Sequence, residues 1–158
     1  MKRLTLCLAL LLSGCAAQPV GPPPSLLGVW HQQDSGNGPY VFAHTAYLPD
    51  GRKCVATFAF AENFTQVHGL LNDWTLDNGV ITTTFGINSV EQPVGNTFKE
   101  EIRLLESDRM DLWVTSSAGE YLARHKRLTD ADPERVCELA LHVVNIYNAM
   151  FELEPAQR

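Results

Sequence analysis

The sequence predicts a mainly β domain in which about eight antiparallel strands close into a small barrel, followed by one C-terminal α-helix. Between residues 26 and 128, runs rich in β-branched and aromatic residues alternate with tight-turn signals at meander spacing. Residues 52–60 alternate between two faces with a period of two, and after residue 132 the period becomes helical. Eight strands suffice for an up-and-down barrel; another antiparallel barrel or a sandwich is the alternative.

The strand signals are separated by residues that favour turns. Pro49-Asp50-Gly51 and Asp77-Asn78-Gly79 are hairpin signals, because Asn-Gly and Asp-Gly tolerate positive φ. A loop with two glycines and a proline is expected at 86–95. The strand signals lie at residues 28–30, 40–48, 52–60, 64–71, 73–76, 80–85, 97–105, 110–116 and 120–128.

The C-terminal region, 129–158, carries the helix signal. Asp132-Pro133-Glu134 supplies a capping carboxylate, a proline where no N–H donor is needed, and an acid at the positive end of the helix dipole. Two adjoining apolar stripes give the helix a wide face, which predicts packing against the outside of the barrel. The stripes are Val136, Ala140, Val143, Tyr147 and Met150, and Cys137, Leu141, Val144 and Phe151.

The N-terminus has the order of an export signal. Met1-Lys2-Arg3 is positive, and the apolar run 4–12 is too short to span a bilayer, which takes about 20 residues. Leu12-Ser13-Gly14-Cys15 follows and resembles the lipobox of bacterial lipoproteins. The resemblance implies a signal peptide at residues 1–14, and a diacylglycerol and palmitate at Cys15. An ordinary cleaved signal peptide is the alternative.

The segment after the lipobox indicates where the anchored protein resides. Residues 15–25 are rich in proline and predict an extended tether. Ala16 stands where aspartate would signal inner-membrane retention, so the family rule implies the outer membrane, facing the periplasm. Without Lys2 and Arg3, ten basic and 18 acidic residues remain, a net charge of −8. This charge argues against nucleic acid as a partner and leaves the lipid as the membrane attachment.

Two cysteines remain for the folded domain. Cys7 leaves with the signal peptide and Cys15 is acylated, so Cys54 and Cys137 are the available thiols. In an oxidising compartment, a single pair of cysteines predicts a disulfide. Closing the loop between Cys54 and Cys137 would contribute about 4 kcal/mol to stability. Two free buried cysteines are the alternative.

Leu27-Gly28-Val29-Trp30 at the start of the β region resembles the Gly-x-Trp motif of lipocalins. The resemblance covers residues 26–128 and implies a lipocalin-like barrel whose closed end is plugged by Trp30. An arginine of the last strand would pack over the indole; Arg124 is the candidate and Arg127 the substitute. The segment is shorter than a full lipocalin and lacks a Thr-Asp-Tyr motif on a middle strand.

Two functions follow from such a barrel. In the first, it binds a small apolar or amphipathic ligand in its mouth. In the second, its own side chains fill it, and the protein interacts through its helix and its loop at 86–95 with an envelope protein, as an assembly partner or an inhibitor. The lining residues expected for the first are Ala56, Phe58, Phe60, Thr83 and Phe85.

No residue pattern predicts catalysis. The chain has no Gly-x-Ser-x-Gly, His-Glu-x-x-His or phosphate-loop motif, so we expect no enzyme activity and no cofactor. The five histidines are scattered singly, and we expect no metal site, although strand histidines could converge inside a barrel. Glu100-Glu101 is interpreted as a solvated strand edge rather than a catalytic pair.

Overall fold

Eight antiparallel strands form a closed barrel, each hydrogen-bonded to the next and β8 to β1, and a single helix follows them, which confirms the predicted fold class. The computed structural model describes residues 26–34, 40–61, 64–89, 92–116 and 119–153. The elements are β1 (Gly28–Asp34), β2 (Tyr40–Tyr47), β3 (Arg52–Ala61), β4 (Phe64–Asp77), β5 (Val80–Asn88), β6 (Thr97–Leu105), β7 (Arg109–Ser116), β8 (Gly119–Leu128) and α1 (Pro133–Leu153).

Tight turns join the strands at one end of the barrel. Gly51 and the pair Asn78-Gly79 have positive φ, as the hairpin signals predict. In the 106–108 turn, the backbone N–H of Glu106 donates to the carbonyl of Arg109. At the same end, β1 pairs with β8 and closes the sheet. The short turns therefore define a compact end, opposite the mouth.

Strand β4 is longer than the sequence predicts. The signals at 64–71 and 73–76 belong to one strand of 14 residues. Its pairing with β5 shifts register between Leu71 and Asp73. Asn72, buried at this bulge, accepts a hydrogen bond from the backbone N–H of Gly86 (3.3 Å). The Asn72 side chain thus accepts from a backbone N–H that, in regular pairing, would donate to a carbonyl of the neighbouring strand.

Helix α1 begins where the sequence predicts it. The backbone N–H of Glu134 donates to the side-chain carboxylate of Asp132 (3.0 Å), as expected for an N-cap. The helix lies outside the barrel against β1–β4. A disulfide joins Cys137 to Cys54 of β3, which confirms the predicted pairing. The backbone of α1 also lies close to Gly69 of β4. A Cβ added at Gly69 would lie 2.0 Å from a carbonyl oxygen of the helix.

The buried face of α1 is narrower than its predicted face. The residues that pack on the barrel are Val136, Cys137, Ala140 and Val144. Leu141 and Met150 were expected on the packed stripes, but they are 41% and 55% exposed because the barrel wall touches only one side of the helix. The side chain of Phe151 lies outside the described residues.

Two apolar clusters lie on opposite sides of the barrel wall. The inner cluster extends from the turn end of the barrel toward the cavities and consists of Leu26, Trp30, Tyr47, Trp74, Ile81, Met110, Leu112, Val114 and Ala123. The outer cluster lies between the wall and α1 and contains Val29, Ala46, Leu48, Cys54, Ala56, Val136 and Cys137. The turn end of the barrel is therefore packed with apolar side chains.

The predicted signal peptide (1–14), the lipidation site Cys15 and the tether (15–25) lie outside the described residues. Among the residues that are described, no helix has both the length and the hydropathy to cross a membrane.

Candidate functional site

Strand β3 determines which side chains reach the barrel interior. Successive side chains of a strand point to opposite faces. Because Cys54 bonds to a helix outside the barrel, its neighbours Lys53 and Val55 point inward, and Thr57 follows them. Strand β3 therefore places Lys53, its second residue, inside the barrel.

The prediction that Ala56 and Phe58 line the interior is wrong. Both pack in the outer cluster beneath α1, since they share the face of β3 that carries the disulfide. The side chain of Phe60 lies outside the described part of the structure. Thr83 is fully buried in the interior, and Phe85 lines a cavity at the mouth. Contact of either residue with a ligand stays a prediction.

Trp30 and Arg127 close the turn end of the barrel. The fully buried indole of Trp30 donates its N–H to the carbonyl of Leu26 (2.9 Å). The guanidinium of Arg127 lies over the indole, 4.1 Å from the ring centroid. Its Nη1 donates to the carbonyl of Leu27 and its Nε to the carbonyl of Ser107, each at 2.6 Å. The arginine therefore joins the residue that precedes β1 to the 106–108 turn.

The candidate Arg124 does not take this position. Arg124 is exposed on the outer face of β8, whereas Ala123, His125 and Arg127 share the inner face. Only side chains of the inner face can reach the indole. Gly28 fits the same arrangement, because its φ of 120° disfavours other residues and an added Cβ would lie 3.0 Å from Nη1 of the arginine.

A buried ion pair lies in the barrel above the closed end. Nζ of Lys53 lies 2.5 Å from Oε2 of Glu100 and donates to Oγ1 of Thr83 at 3.1 Å. The side chains of Lys53 and Glu100 are 3% and 10% exposed. Nζ also faces the rings of Tyr47 and Phe98, 5.2 and 4.9 Å from their centroids. The interpretation of Glu100 as a solvated residue is wrong; only Glu101 is exposed.

Stability alone does not account for these two charges. Removing two ions from water costs several kcal/mol each, and a buried pair repays this cost only partly. Apolar residues of similar volume are often as stable or more stable at such positions. Lys53 and Glu100 therefore mark the part of the interior most suited to binding a polar group.

His125 and Tyr47 flank the ion pair and are both neutral at physiological pH. Burial lowers the pKa of His125 to about 4, with Glu100 opposing and Lys53 reinforcing the shift. Burial, reinforced by Glu100, raises the pKa of Tyr47 well above its usual value. Within the described residues, Nδ1 of His125 has no hydrogen-bond partner, although the residue is only 5% exposed. An imidazole in this state has hydrogen-bonding capacity left for a further group.

Two adjoining cavities occupy the open half of the barrel. The mouth cavity has a volume of about 540 Å³ and is lined by Phe85, Gln92, Asn96, Thr97, Phe98, Val114 and Tyr121. The inner cavity has a volume of about 160 Å³; its lining includes Gln32, Thr45, Tyr47, Lys53, Thr57, Glu100 and His125. The two share Phe98, Val114 and Tyr121 in their linings, so an aromatic mouth cavity adjoins an inner cavity with a polar floor.

Sequence reasoning missed Lys53, Glu100 and His125. The sequence did contain information about Lys53. Its neighbour Cys54 bonds to a helix outside the barrel, so the opposite face of β3, which carries Lys53, must point into the interior. Glu100 could have been found only through its strand pairing, since two adjacent glutamates look alike in sequence. His125 shares the inner face of β8 with Arg127, but the sequence favoured Arg124, on the opposite face.

The histidines do not converge on one site. His31 and His44 contact each other on the outer face of the barrel, with ring centroids 5.3 Å apart, whereas His125 lies inside. Burial lowers the pKa of His31 and of His44. In the described part of the chain, no group of three or more His, Cys, Asp or Glu side chains could hold a metal ion.

Comparisons with protein-family models, with curated proteins and with solved structures found no match for the chain.

Proposed function

We propose that the protein is an exported, lipid-anchored binding protein whose barrel takes up a small amphipathic molecule. The observation that carries the proposal is the space formed by two adjoining cavities, one at the aromatic mouth and one at the polar floor. Its mouth part alone, about 540 Å³, is within the range of small-molecule sites, roughly 300–1,000 Å³. A barrel filled by its own side chains would not leave this space, so the cavity favours the ligand-binding alternative.

The lining suits a molecule with an apolar and a polar part. Phe85 and Phe98 lie side by side at the mouth, with ring centroids 5.3 Å apart, and Val114 adds apolar surface below them. The Lys53–Glu100 pair lies at the other end of the space. Burying an alkyl chain against these rings is favourable by about 25 cal/mol per Å² of apolar surface, while the floor can accept a polar end.

Attachment to the periplasmic face of the outer membrane is the second part of the proposal. It is supported by the lipobox at Cys15 and by the disulfide, which forms and persists in oxidising compartments. Palmitate labelling tests it: cells expressing the chain are expected to incorporate label, and a Cys15→Ser variant is not. Label retained by the variant would overturn the anchor.

Binding is tested with the chain carrying Cys15→Ser, so that no attached acyl chain can occupy the barrel. A fluorescent apolar probe is titrated into the protein and into two tryptophan variants. Thr57→Trp fills the inner cavity and is expected to abolish saturable binding. Val67→Trp, on the outer face, is the matched control and should bind like the parent. Equal binding by both variants would contradict a site in the barrel.

A further inference from the structure

The floor of the barrel interior has a defined chemistry. Lys53 and Glu100 carry opposite charges and are bound to each other, so together they contribute no net charge. His125 and Tyr47 are neutral because burial shifts their pKa values away from physiological pH. A polar group that reaches the floor therefore meets an interior that is polar and uncharged overall.

We propose that this floor selects a neutral hydrogen-bonding head group, such as a hydroxyl, over carboxylates and ammonium groups. The ligand class is then a neutral amphiphile, with its alkyl chain against Phe85 and Phe98 in the mouth cavity and its hydroxyl beside the Lys53–Glu100 pair. The inference rests on the proposed function, since it specifies what the barrel binds.

Charged head groups are disfavoured at this floor by desolvation and repulsion. A carboxylate must lose its water and then lies beside Glu100, while Lys53, the cation among the described residues that line this cavity, is already paired with Glu100. An ammonium group meets the same cost and the repulsion of Lys53. Binding of either ion would compete with the existing pair.

A hydroxyl avoids both costs and satisfies a group that is otherwise unpartnered. Among the described residues, Nδ1 of His125 lacks a hydrogen-bond partner, and its ring lines the inner cavity. One nitrogen of a neutral imidazole donates and the other accepts. Because a hydroxyl can donate or accept, it can pair with Nδ1 in either tautomer.

The test compares three probes with the same alkyl chain: decanol, decanoate and decylammonium. Their affinities for the Cys15→Ser chain are measured at neutral pH by displacement of the fluorescent probe and by calorimetry. We expect decanol to bind at least about tenfold more tightly than either ion, a difference of about 1.4 kcal/mol. Equal affinities, or a preference for decanoate, would overturn the inference.

Glu100→Gln provides the sharper measurement. It removes the negative partner of Lys53 and leaves a buried cation, so the variant should gain about tenfold or more in affinity for decanoate and prefer it to decanol. Glu101→Gln on the exposed side of β6 is the matched control and should keep the preference of the parent. If the ratio of affinities is unchanged in Glu100→Gln, the pair does not select the head group.

A double variant keeps the test informative if Glu100→Gln fails to fold. Lys53→Met with Glu100→Leu replaces both ions by apolar groups but keeps His125, so its preference for decanol over decane should be smaller than that of the parent. An unchanged preference would contradict the proposed role of the ion pair in the floor. The two failures are distinguishable: binding of all probes without discrimination overturns the selection alone, whereas binding of none also overturns the proposed function.

Discussion

Lys53 and Glu100 form an ion pair inside a barrel that has an aromatic mouth and a closed base. Their bond, 2.5 Å between Nζ and Oε2, joins β3 to β6 across the interior, two strands that are not neighbours in the sheet. The pair separates the solid apolar end, where Trp30 lies, from the cavities above. These two side chains thus make the middle of the barrel interior polar, above an apolar closed end.

The ion pair predicts a strongly non-additive effect on stability. Lys53→Met should lower the free energy of unfolding by about 3–5 kcal/mol, because it leaves an uncompensated carboxylate in the interior. Adding Glu100→Leu should restore most of the loss. The quantity is measured by urea unfolding with the disulfide intact, with the exposed Lys99→Met as control. Additive losses in the double variant would contradict a coupled buried pair.

Arg127 and Arg124 should differ in their contribution to stability. Arg127→Ala removes two hydrogen bonds to carbonyls and the contact with Trp30, so it should cost about 2–3 kcal/mol. The exposed Arg124→Ala should change stability by less than about 0.5 kcal/mol. Thermal unfolding of the two variants, followed by near-ultraviolet circular dichroism of the tryptophans, measures the difference. A larger loss of stability in Arg124→Ala than in Arg127→Ala would mean that Arg124 closes the barrel.

The disulfide should stabilise the protein mainly through its unfolded state. Cys54 and Cys137 are 83 residues apart, and closing a loop of this length contributes about 4 kcal/mol in the chain-entropy model. Reductant should therefore lower the free energy of unfolding of the parent by this amount. It should leave a Cys54→Ala, Cys137→Ala variant unchanged. Equal sensitivity of both proteins to reductant would contradict the assignment.

Acid should destabilise the fold through His125. Its pKa of about 4 in the folded state lies below the usual histidine value of 6.5, so between these pH values the unfolded chain binds a proton that the folded chain does not. Stability is complete above pH 6.5 and falls as the pH decreases towards 4, by about 3 kcal/mol from this residue.

His125→Phe isolates this contribution. His31 and His44 also have pKa values lowered by burial, so they add to the slope in the parent and remain in the variant. The free energy of unfolding, measured by urea at several pH values, should fall less steeply with acid in His125→Phe than in the parent. Identical slopes would show that this imidazole titrates normally in the fold.

The sequence predicted the architecture because the strands, the turns and the helix leave local signals. The hairpin at Asn78-Gly79, the capped start of α1 and the disulfide follow from local residue types and from a count of cysteines. The residues that line the interior were harder to predict, because whether a side chain points into or out of the barrel depends on how whole strands pair. A shift by one residue exchanges the two faces, and Ala56 and Phe58 were assigned to the wrong one.

A structure determined with decanol bound tests the central claim most directly. We predict electron density for the alkyl chain in the mouth cavity, against Phe85 and Phe98, with the hydroxyl oxygen within hydrogen-bond distance of His125 or of the Lys53–Glu100 pair. A chain bound on the outer surface, or an interior closed by its own side chains, would contradict the account.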